Sequence, residues 1–180
     1  MRVLLTEQDL EDARRYARLR TGNNRQAGTT CVKRANFDGL EADFQGMCGE
    51  IAFCKAFNLP FDRSVGPRSG GVDTTLYGYR FDVKATKLKN GRLLATTKVN
   101  DEIDAYALAL LHELPWVELR GYELKGIFIV PENLLDLGHG LTYALGQGKL
   151  RLFKADKCVQ SNDDWLAEYR KTEAVMWGSE

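Results

Sequence analysis

The chain has 180 residues, 44% of them hydrophobic, and its 25 basic and 25 acidic residues give a formal net charge of zero. This length predicts one domain, and the apolar content is enough to remove roughly 70% of the unfolded surface from water, which excludes general disorder. No run approaches the roughly 18 apolar residues of a membrane-spanning helix, and the sequence becomes charged too soon after Met1 for a signal peptide. We therefore expect a soluble, cytoplasmic protein without membrane partners.

The four cysteines, Cys31, Cys48, Cys54 and Cys158, lack the close pairing that marks a zinc or redox site. A chain of this size needs no disulfides for stability, so we predict reduced thiols. An iron–sulfur cluster is a weaker alternative, because two of its ligands would have to leave the apolar face of a helix.

Positive charge is concentrated in two segments. Residues 13–37 contain seven basic residues and no acid, and residues 80–98 contain six basic residues against the single Asp82. The acids gather in residues 101–136 and after Asp156, so one face can be basic although the total charge is zero. The alternative is a solvated helix face followed by an ordinary lysine-rich hairpin.

Two helices are predicted in the first third of the chain. Thr6 is a suitable N-cap for a helix over residues 7–20, which the Thr21–Asn24 segment should end. From Gly39 onward, apolar residues recur at helical spacing until Asn58, Leu59 and Pro60 stop the pattern.

The middle of the chain is rich in predicted strands. Residues 72–86 indicate a β-hairpin with its turn at or beside Gly78, and further strands fit residues 93–99, 105–111, 117–119 and 126–130. Pro131 should begin a short helix that reaches Leu137, and residues 163–170 should form a closing helix. This order predicts an α/β fold of the α+β type, a mixed, mostly antiparallel sheet flanked by helices. Within the single domain, residues 1–38 would form a basic helix and loop, residues 39–130 the core, and residues 131–180 a helical extension.

Glu50 is the most informative single residue, because it occupies the middle of the apolar stripe of the second helix. A carboxylate that faces a core loses several kcal/mol of solvation unless a cation, a metal or strong hydrogen-bond donors satisfy it. Two structural alternatives are a buried ion pair with an arginine and a helix rotated so that Glu50 reaches water.

The tripeptide Asp82-Val83-Lys84 places an acid and a lysine on one face of a strand, roughly 6–7 Å apart. A similar tripeptide, Glu123-Leu124-Lys125, occurs later, so the pattern alone is weak. Asp73 distinguishes the first tripeptide, since a turn near Gly78 brings it to the same face across the hairpin. Two carboxylates held this close favour a cation between them, whereas a plain Asp73–Lys84 salt bridge would contribute under about 1 kcal/mol.

Paired carboxylates suit Mg²⁺, which keeps several waters and also accepts substrate phosphate. The metal would polarise a phosphate, and Lys84 would hold the attacking water or neutralise the developing charge.

A helix containing Gly49-Glu50, followed by Asp73 and then by Phe81-Asp82-Val83-Lys84, resembles the PD-(D/E)xK nuclease superfamily over residues 45–99. Restriction endonucleases, phage exonucleases and junction resolvases belong to this superfamily. The resemblance implies a restriction endonuclease-like core in which Asp73 and Asp82 bind Mg²⁺, Glu50 supports them and Lys84 is catalytic. Mn²⁺ would substitute for Mg²⁺. Many relatives are homodimers, and the small size is compatible with a phage origin.

Four residues are predicted to contact the nucleic-acid backbone: Lys98, Arg68, Lys87 and Arg34. The resemblance implies a phosphate contact for Lys98, and Arg68 belongs to a glycine-rich loop that leads to Asp73. Lys87 and Arg34 belong to the basic segments. The alternative for Lys98 is an ordinary solvent-facing strand lysine, and the alternative for the loop with Arg68 is a flexible surface loop.

These features predict a Mg²⁺-dependent nuclease that hydrolyses DNA phosphodiester bonds, with RNA left open as a substrate. A non-catalytic protein that binds nucleic acid or another protein through the same scaffold is the alternative. His112 and His139 have no partner at relay or ligand spacing and are expected to be ordinary histidines.

Overall fold

The computed structural model describes residues 1–28, 38–63, 71–138 and 140–153. They form an α+β fold with three α-helices and two sheets. The helices are α1 (Glu7–Gln26), α2 (Gly39–Ala56) and α3 (Lys125–Phe128). The strands are β1 (Arg2–Leu4), β2 (Thr74–Leu76), β3 (Tyr79–Thr86), β4 (Leu93–Thr96), β5 (Ala105–Glu113), β6 (Trp116–Leu124), β7 (Leu134–Asp136) and β8 (Leu141–Leu145). The predicted helix over residues 163–170 lies outside the described residues.

The larger sheet has five strands in the order β1-β6-β5-β3-β2, and the smaller sheet has the order β4-β8-β7. Strands β3 and β5 are parallel, and the other described neighbours are antiparallel. The predicted mixed, mostly antiparallel sheet is therefore confirmed.

Both faces of the larger sheet are covered. Alternate residues of β5, beginning with Ala105 and Ala107, pack in one core with α1 and α2. The residues between them, beginning with Tyr106 and Leu108, pack in a second core with Phe128 and the smaller sheet. This two-sided burial explains why β5 is an almost continuous apolar run.

Helix α1 begins where the sequence predicts but extends six residues further, to Gln26. The Thr6 side chain accepts a hydrogen bond from the Asp9 amide, and the Asp9 carboxylate accepts one from the Thr6 amide, which completes a capping box. The predicted stop at Thr21 is wrong because the Thr21 hydroxyl donates to Asp43 of α2, 2.6 Å away, and Asn24 is buried. Tertiary contacts override the weak helix propensity of this segment.

Helix α2 matches its prediction and lies antiparallel to α1, because Lys55 near its end contacts Asp9 while Asp43 near its start contacts Thr21. The helix approaches the sheet closely at Gly49. A Cβ atom there would lie 3.0 Å from the Ala85 Cβ and 3.3 Å from the Ala109 Cβ. Three small residues thus fix how deeply α2 sits, and with it the height of Glu50 above the sheet.

The hairpin is also confirmed. Tyr77 and Gly78 both have positive φ, 52° and 81°, and form a two-residue turn of the kind that matches strand twist. Strand β2 is short, with Thr74 opposite Phe81 as its last described pair. Val83–Thr86 of β3 therefore have no described β2 residue in ladder register with them.

Several predictions for the second half of the chain are wrong. Strand β4 ends at Thr96 rather than at Val99, and residues 117–119 belong to a longer strand that runs through Gly121 with a bulge against β5. Residues 126–130 are not a strand, since α3 occupies 125–128 and buries Phe128 in the second core. Pro131 begins a 3-10 turn, Pro131–Asn133, that leads into β7 instead of a helix to Leu137.

Cys48 and Cys54 are free and buried on α2, whereas Cys31 and Cys158 lie outside the described residues. In the part of the chain that the structure describes, no helix is both long and apolar enough to cross a membrane.

Candidate active site

Asp73 forms two hydrogen bonds with β3, one to the residue before Asp82 and one to the residue after it. Its backbone amide donates to the Phe81 carbonyl at 2.9 Å, and its carboxylate accepts a hydrogen bond from the Val83 amide at 2.7 Å. The carboxylate takes the place of a backbone acceptor in the ladder, so it lies at the sheet edge. The sequence placed it on the face shared by Asp82 and Lys84 instead.

Asp82 and Lys84 share one face of β3 and contact each other directly. The Lys84 Nζ lies 2.6 Å from Oδ2 of Asp82, which is 7% exposed. In the parallel register with β5, Asp82 is opposite Tyr106 and Lys84 is opposite Leu108, two residues of the second core. The pair therefore faces the smaller sheet, whereas Val83 and Ala85 face α2 at Gly49. Glu50 and this pair approach β3 from opposite faces, although the sequence predicts that they meet at one point. The described ion pair of Lys84 is with Asp82, whereas the structural alternative drawn from the sequence was a salt bridge with Asp73.

Glu50 is buried, 7% exposed, as its place in the helical period indicates. The guanidinium of Arg20 on α1 binds both of its carboxylate oxygens, at 2.9 Å and 3.3 Å. The buried ion pair with an arginine, one of the alternatives drawn from sequence, thus describes this contact. The sequence does not indicate Arg20 as the partner, because an arginine near the predicted end of a helix is already favourable for the helix dipole.

The three acids form one electrostatic group. Burial is the largest cause that raises the pKa of Glu50, Asp73 and Asp82. The negative charges of Glu50 and Asp82 raise the pKa of Asp73 further, well above its ordinary value, and the charge of Asp82 also raises the pKa of Glu50. Arg20 and Lys84 oppose these shifts. When all three acids are ionised, two cations leave one excess negative charge, which either a bound proton or a further cation balances.

The chemistry of these donors fits a hard divalent cation. Among the described residues, no group of three or more His, Cys, Asp or Glu side chains is close enough to hold a metal ion. Mg²⁺ does not require such a cage, because it is usually bound by one or two carboxylates together with water and substrate phosphate. Asp73 and Asp82 offer two carboxylates of that kind, both with raised pKa values.

The second acid-x-lysine tripeptide has a different environment. Glu123 is buried and accepts a hydrogen bond from Arg151, while Lys125 contacts Asp101. Its acid and its lysine therefore have separate partners, whereas Asp82 and Lys84 bind each other. The structure distinguishes two patterns that are nearly identical in sequence.

Of the four predicted backbone contacts, Lys87 forms an ion pair with Glu41 in the first turn of α2. Lys98 is exposed and lies just beyond the end of β4, instead of within a strand. Arg34 and Arg68 lie outside the described residues. For the two described residues, Lys87 and Lys98, no described contact joins them to Glu50, Asp73 or Asp82.

Tyr106 is a further residue at the site that the sequence did not indicate. It is 2% exposed and sits opposite Asp82 in the ladder. Burial, followed by the negative charge of Asp82, raises its pKa to about 12, so the phenol stays neutral. Only the strand register reveals this neighbour, because the two residues are 24 positions apart.

No protein-family model matches the chain, and neither the curated proteins nor the solved structures contain a match.

Proposed function

We propose that this protein is a cytoplasmic Mg²⁺-dependent nuclease that hydrolyses DNA phosphodiester bonds at Glu50, Asp73, Asp82 and Lys84. The observation that supports the proposal is geometric: Asp73 forms hydrogen bonds to β3 at Phe81 and Val83, the two neighbours of Asp82, and Lys84 lies 2.6 Å from Asp82. A buried group with perturbed pKa values and excess negative charge is expected where a cation takes part in function.

The residues have separable roles. Asp73 and Asp82 would hold Mg²⁺, which supplies Lewis-acid polarisation of the scissile phosphate when bound. Lys84, already 2.6 Å from Asp82, holds a water beside the phosphate and neutralises charge that develops on its oxygens. Glu50 adds negative charge from α2, and Arg20 keeps its carboxylate in one orientation.

The test is metal-dependent cleavage of DNA by the purified full chain. Supercoiled plasmid, linear duplex, single-stranded and branched DNA are each incubated with Mg²⁺ or Mn²⁺, and the products are separated by electrophoresis. We expect Lys84→Ala to lose activity and Lys125→Ala, from the second tripeptide, to retain it. Equal behaviour of wild type and Lys84→Ala on every substrate overturns the proposal.

Calorimetry with Mn²⁺ tests the metal site without catalysis. We expect wild type to bind Mn²⁺, and Asp73→Asn and Asp82→Asn to lose at least tenfold in affinity. Asp101→Asn is the matched control, because Asp101 is fully exposed and contacts only Lys125 among described side chains. Metal binding that is absent, or equally weakened by the control, contradicts this assignment.

One observation favours the second candidate, a non-catalytic nucleic-acid-binding protein. Two of the three acids already have a cation within the protein, Arg20 for Glu50 and Lys84 for Asp82. Such a protein would bind DNA without Asp73-dependent metal affinity, so the calorimetry separates the two candidates.

A further inference from the structure

We propose that the exposed flank of α1 beside its contact with α2 is a surface for the sugar–phosphate backbone of DNA, formed by Arg14, Arg18 and Arg25. This surface, the α1 arginine stripe, depends on the proposed function for the choice of DNA as its ligand. It assigns a function to a helix that carries none of the residues proposed for metal binding or catalysis.

The three arginines lie on one line along the helix. With 3.6 residues per turn, Arg18 and Arg25 are about 40° and about 20° around the axis from Arg14. All three are exposed, and none forms an ion pair with another described residue. Glu7 and Glu11 occupy the same line nearer the start, so its positive part begins at Arg14.

The length of the stripe fits a strand of nucleic acid. Eleven residues of helix rise about 16 Å from Arg14 to Arg25, which corresponds to roughly five nucleotides at 3.4 Å per nucleotide of one strand. Exposed guanidinium groups without acidic partners are well suited to phosphate, which they bind through two donors at once.

A residue on the other side of the same helix, Arg20, binds the proposed site residue Glu50. Arg20 lies about 140° around the axis from Arg25 and holds Glu50 by two hydrogen bonds. Along the axis, Arg18 and Arg25 are both within about 8 Å of Arg20. A strand bound to the stripe is therefore about one helix diameter from the Arg20–Glu50 pair, and α1 connects the two rigidly.

The Arg14 end of the stripe lies beside α2. The Arg14 guanidinium is 5.6 Å from the centroid of the Phe44 ring on that helix. One turn away on α2, Glu41 pairs with Lys87, which follows the end of β3. The charge of Lys87 is therefore balanced within the protein, and among the described residues of this region the unpaired positive charge belongs to the α1 arginines.

The experiment measures the salt dependence of DNA binding in EDTA, where metal-dependent cleavage does not interfere. The full chain is titrated into a fluorescein-labelled 20-base-pair duplex, and anisotropy is recorded over a series of NaCl concentrations. The stripe variant is Arg14→Gln/Arg18→Gln/Arg25→Gln. The control is Arg2→Gln/Arg120→Gln/Lys149→Gln, which removes the same number of positive charges from other parts of the protein.

We expect the stripe variant to lose at least tenfold in affinity at 0.1 M NaCl, and its slope of log K against log salt to decrease by about 2 to 3, at about 0.9 per phosphate contact. The control should change affinity less than threefold. Equal losses in both variants, no loss in either, or no DNA binding by wild type overturns the inference. If circular dichroism shows that the triple variant is unfolded, Arg18→Gln alone decides, with an expected decrease in slope of about 0.9.

Failure of this surface and failure of the nuclease are distinguishable. A stripe-dependent affinity without any metal-dependent cleavage retains the surface and removes the proposed nuclease activity. Cleavage that needs Lys84, combined with binding that is insensitive to the stripe variant, removes the surface and retains the nuclease.

Discussion

Arg20 and Glu50 are 30 residues apart in sequence and bind each other at two points, with nitrogen–oxygen distances of 2.9 Å and 3.3 Å. The glutamate side chain is 9% exposed and the arginine side chain 20%. Through this pair, α1 fixes the position of the Glu50 carboxylate. We first consider how much the pair contributes to the free energy of unfolding.

Arg20→Gln should reduce the free energy of unfolding by about 3 kcal/mol at neutral pH, because it leaves a buried carboxylate without its cation. Urea denaturation measures this loss. The double variant Arg20→Gln/Glu50→Gln should be more stable than Arg20→Gln, since position 50 then carries no charge that needs a cation. Arg151→Gln removes the comparable cation of Glu123 and serves as a reference. A double variant less stable than Arg20→Gln contradicts this account.

Asp73→Asn should stabilise the protein at pH 7, by about 1 kcal/mol. Asparagine still accepts the hydrogen bond from Val83 but carries no charge. In the folded state the pKa of Asp73 is raised by burial and by Glu50 and Asp82. The folded state therefore binds the proton of Asp73 more tightly, and the contribution of Asp73 to the free energy of unfolding falls as pH rises above about 4. The stabilisation by Asp73→Asn should vanish at pH 3.5 and grow toward pH 7.

Asp104→Asn should show the opposite pH dependence and is the matched control. Hydrogen bonds from Arg80 lower the pKa of Asp104, so its ionised form stabilises the folded state above the ordinary pKa of 3.8. The substitution should cost under about 1 kcal/mol at pH 7 and less as the solution is acidified. Unfolding measured between pH 3.5 and pH 7 compares the two variants, and parallel curves would contradict both assignments.

Gly49→Ala should destabilise the protein by about 1–3 kcal/mol, because the new methyl group meets Ala85 and Ala109 and α2 must move outward. Gly46→Ala on the same helix meets only the Glu50 carboxylate, at 3.8 Å. It should be neutral or stabilising by up to about 1 kcal/mol through helix propensity. Thermal unfolding measures both, and a Gly49→Ala variant as stable as Gly46→Ala would show that the close approach has no energetic consequence.

The thiols of Cys48 and Cys54 should resist alkylation in the folded protein. Burial is the main cause that raises their pKa values, to about 12 and about 11, so very little thiolate exists at pH 8. Iodoacetamide followed by peptide mass mapping should label both residues at least a hundredfold more slowly in buffer than in urea. Equal rates under the two conditions would mean that α2 opens readily.

The sequence predicted α1, α2 and the hairpin because each contains its own signal: a cap, a helical period, or a turn glycine between alternating residues. It placed the end of α1 too early because the contact that prolongs the helix, Thr21 with Asp43, joins two helices. It also misassigned residues 126–130, where the burial of Phe128 in a second core decides the conformation. Local pattern does not contain such long-range contacts.

The site shows the same division. Helical period predicts the burial of Glu50, and strand alternation predicts that Asp82 and Lys84 share a face. The place of Asp73 at the sheet edge is not predicted, because its side chain accepts a hydrogen bond from the Val83 amide. Arg20 and Tyr106 were missed because their proximity follows from the packing of α1 on α2 and from the parallel register of β3 with β5. The spacing of residues in the sequence predicts neither of these tertiary contacts.

A sequence optimised only for stability would have leucine or valine where α2 faces the edge of the larger sheet. This protein instead has the acids Glu50, Asp73 and Asp82 in that region, which repel one another and whose ionisation is opposed by burial. Removing one of these charges is expected to raise the melting temperature. Screening random variants for heat tolerance should therefore recover changes at Asp73 in proteins that have lost whatever this region does for the cell.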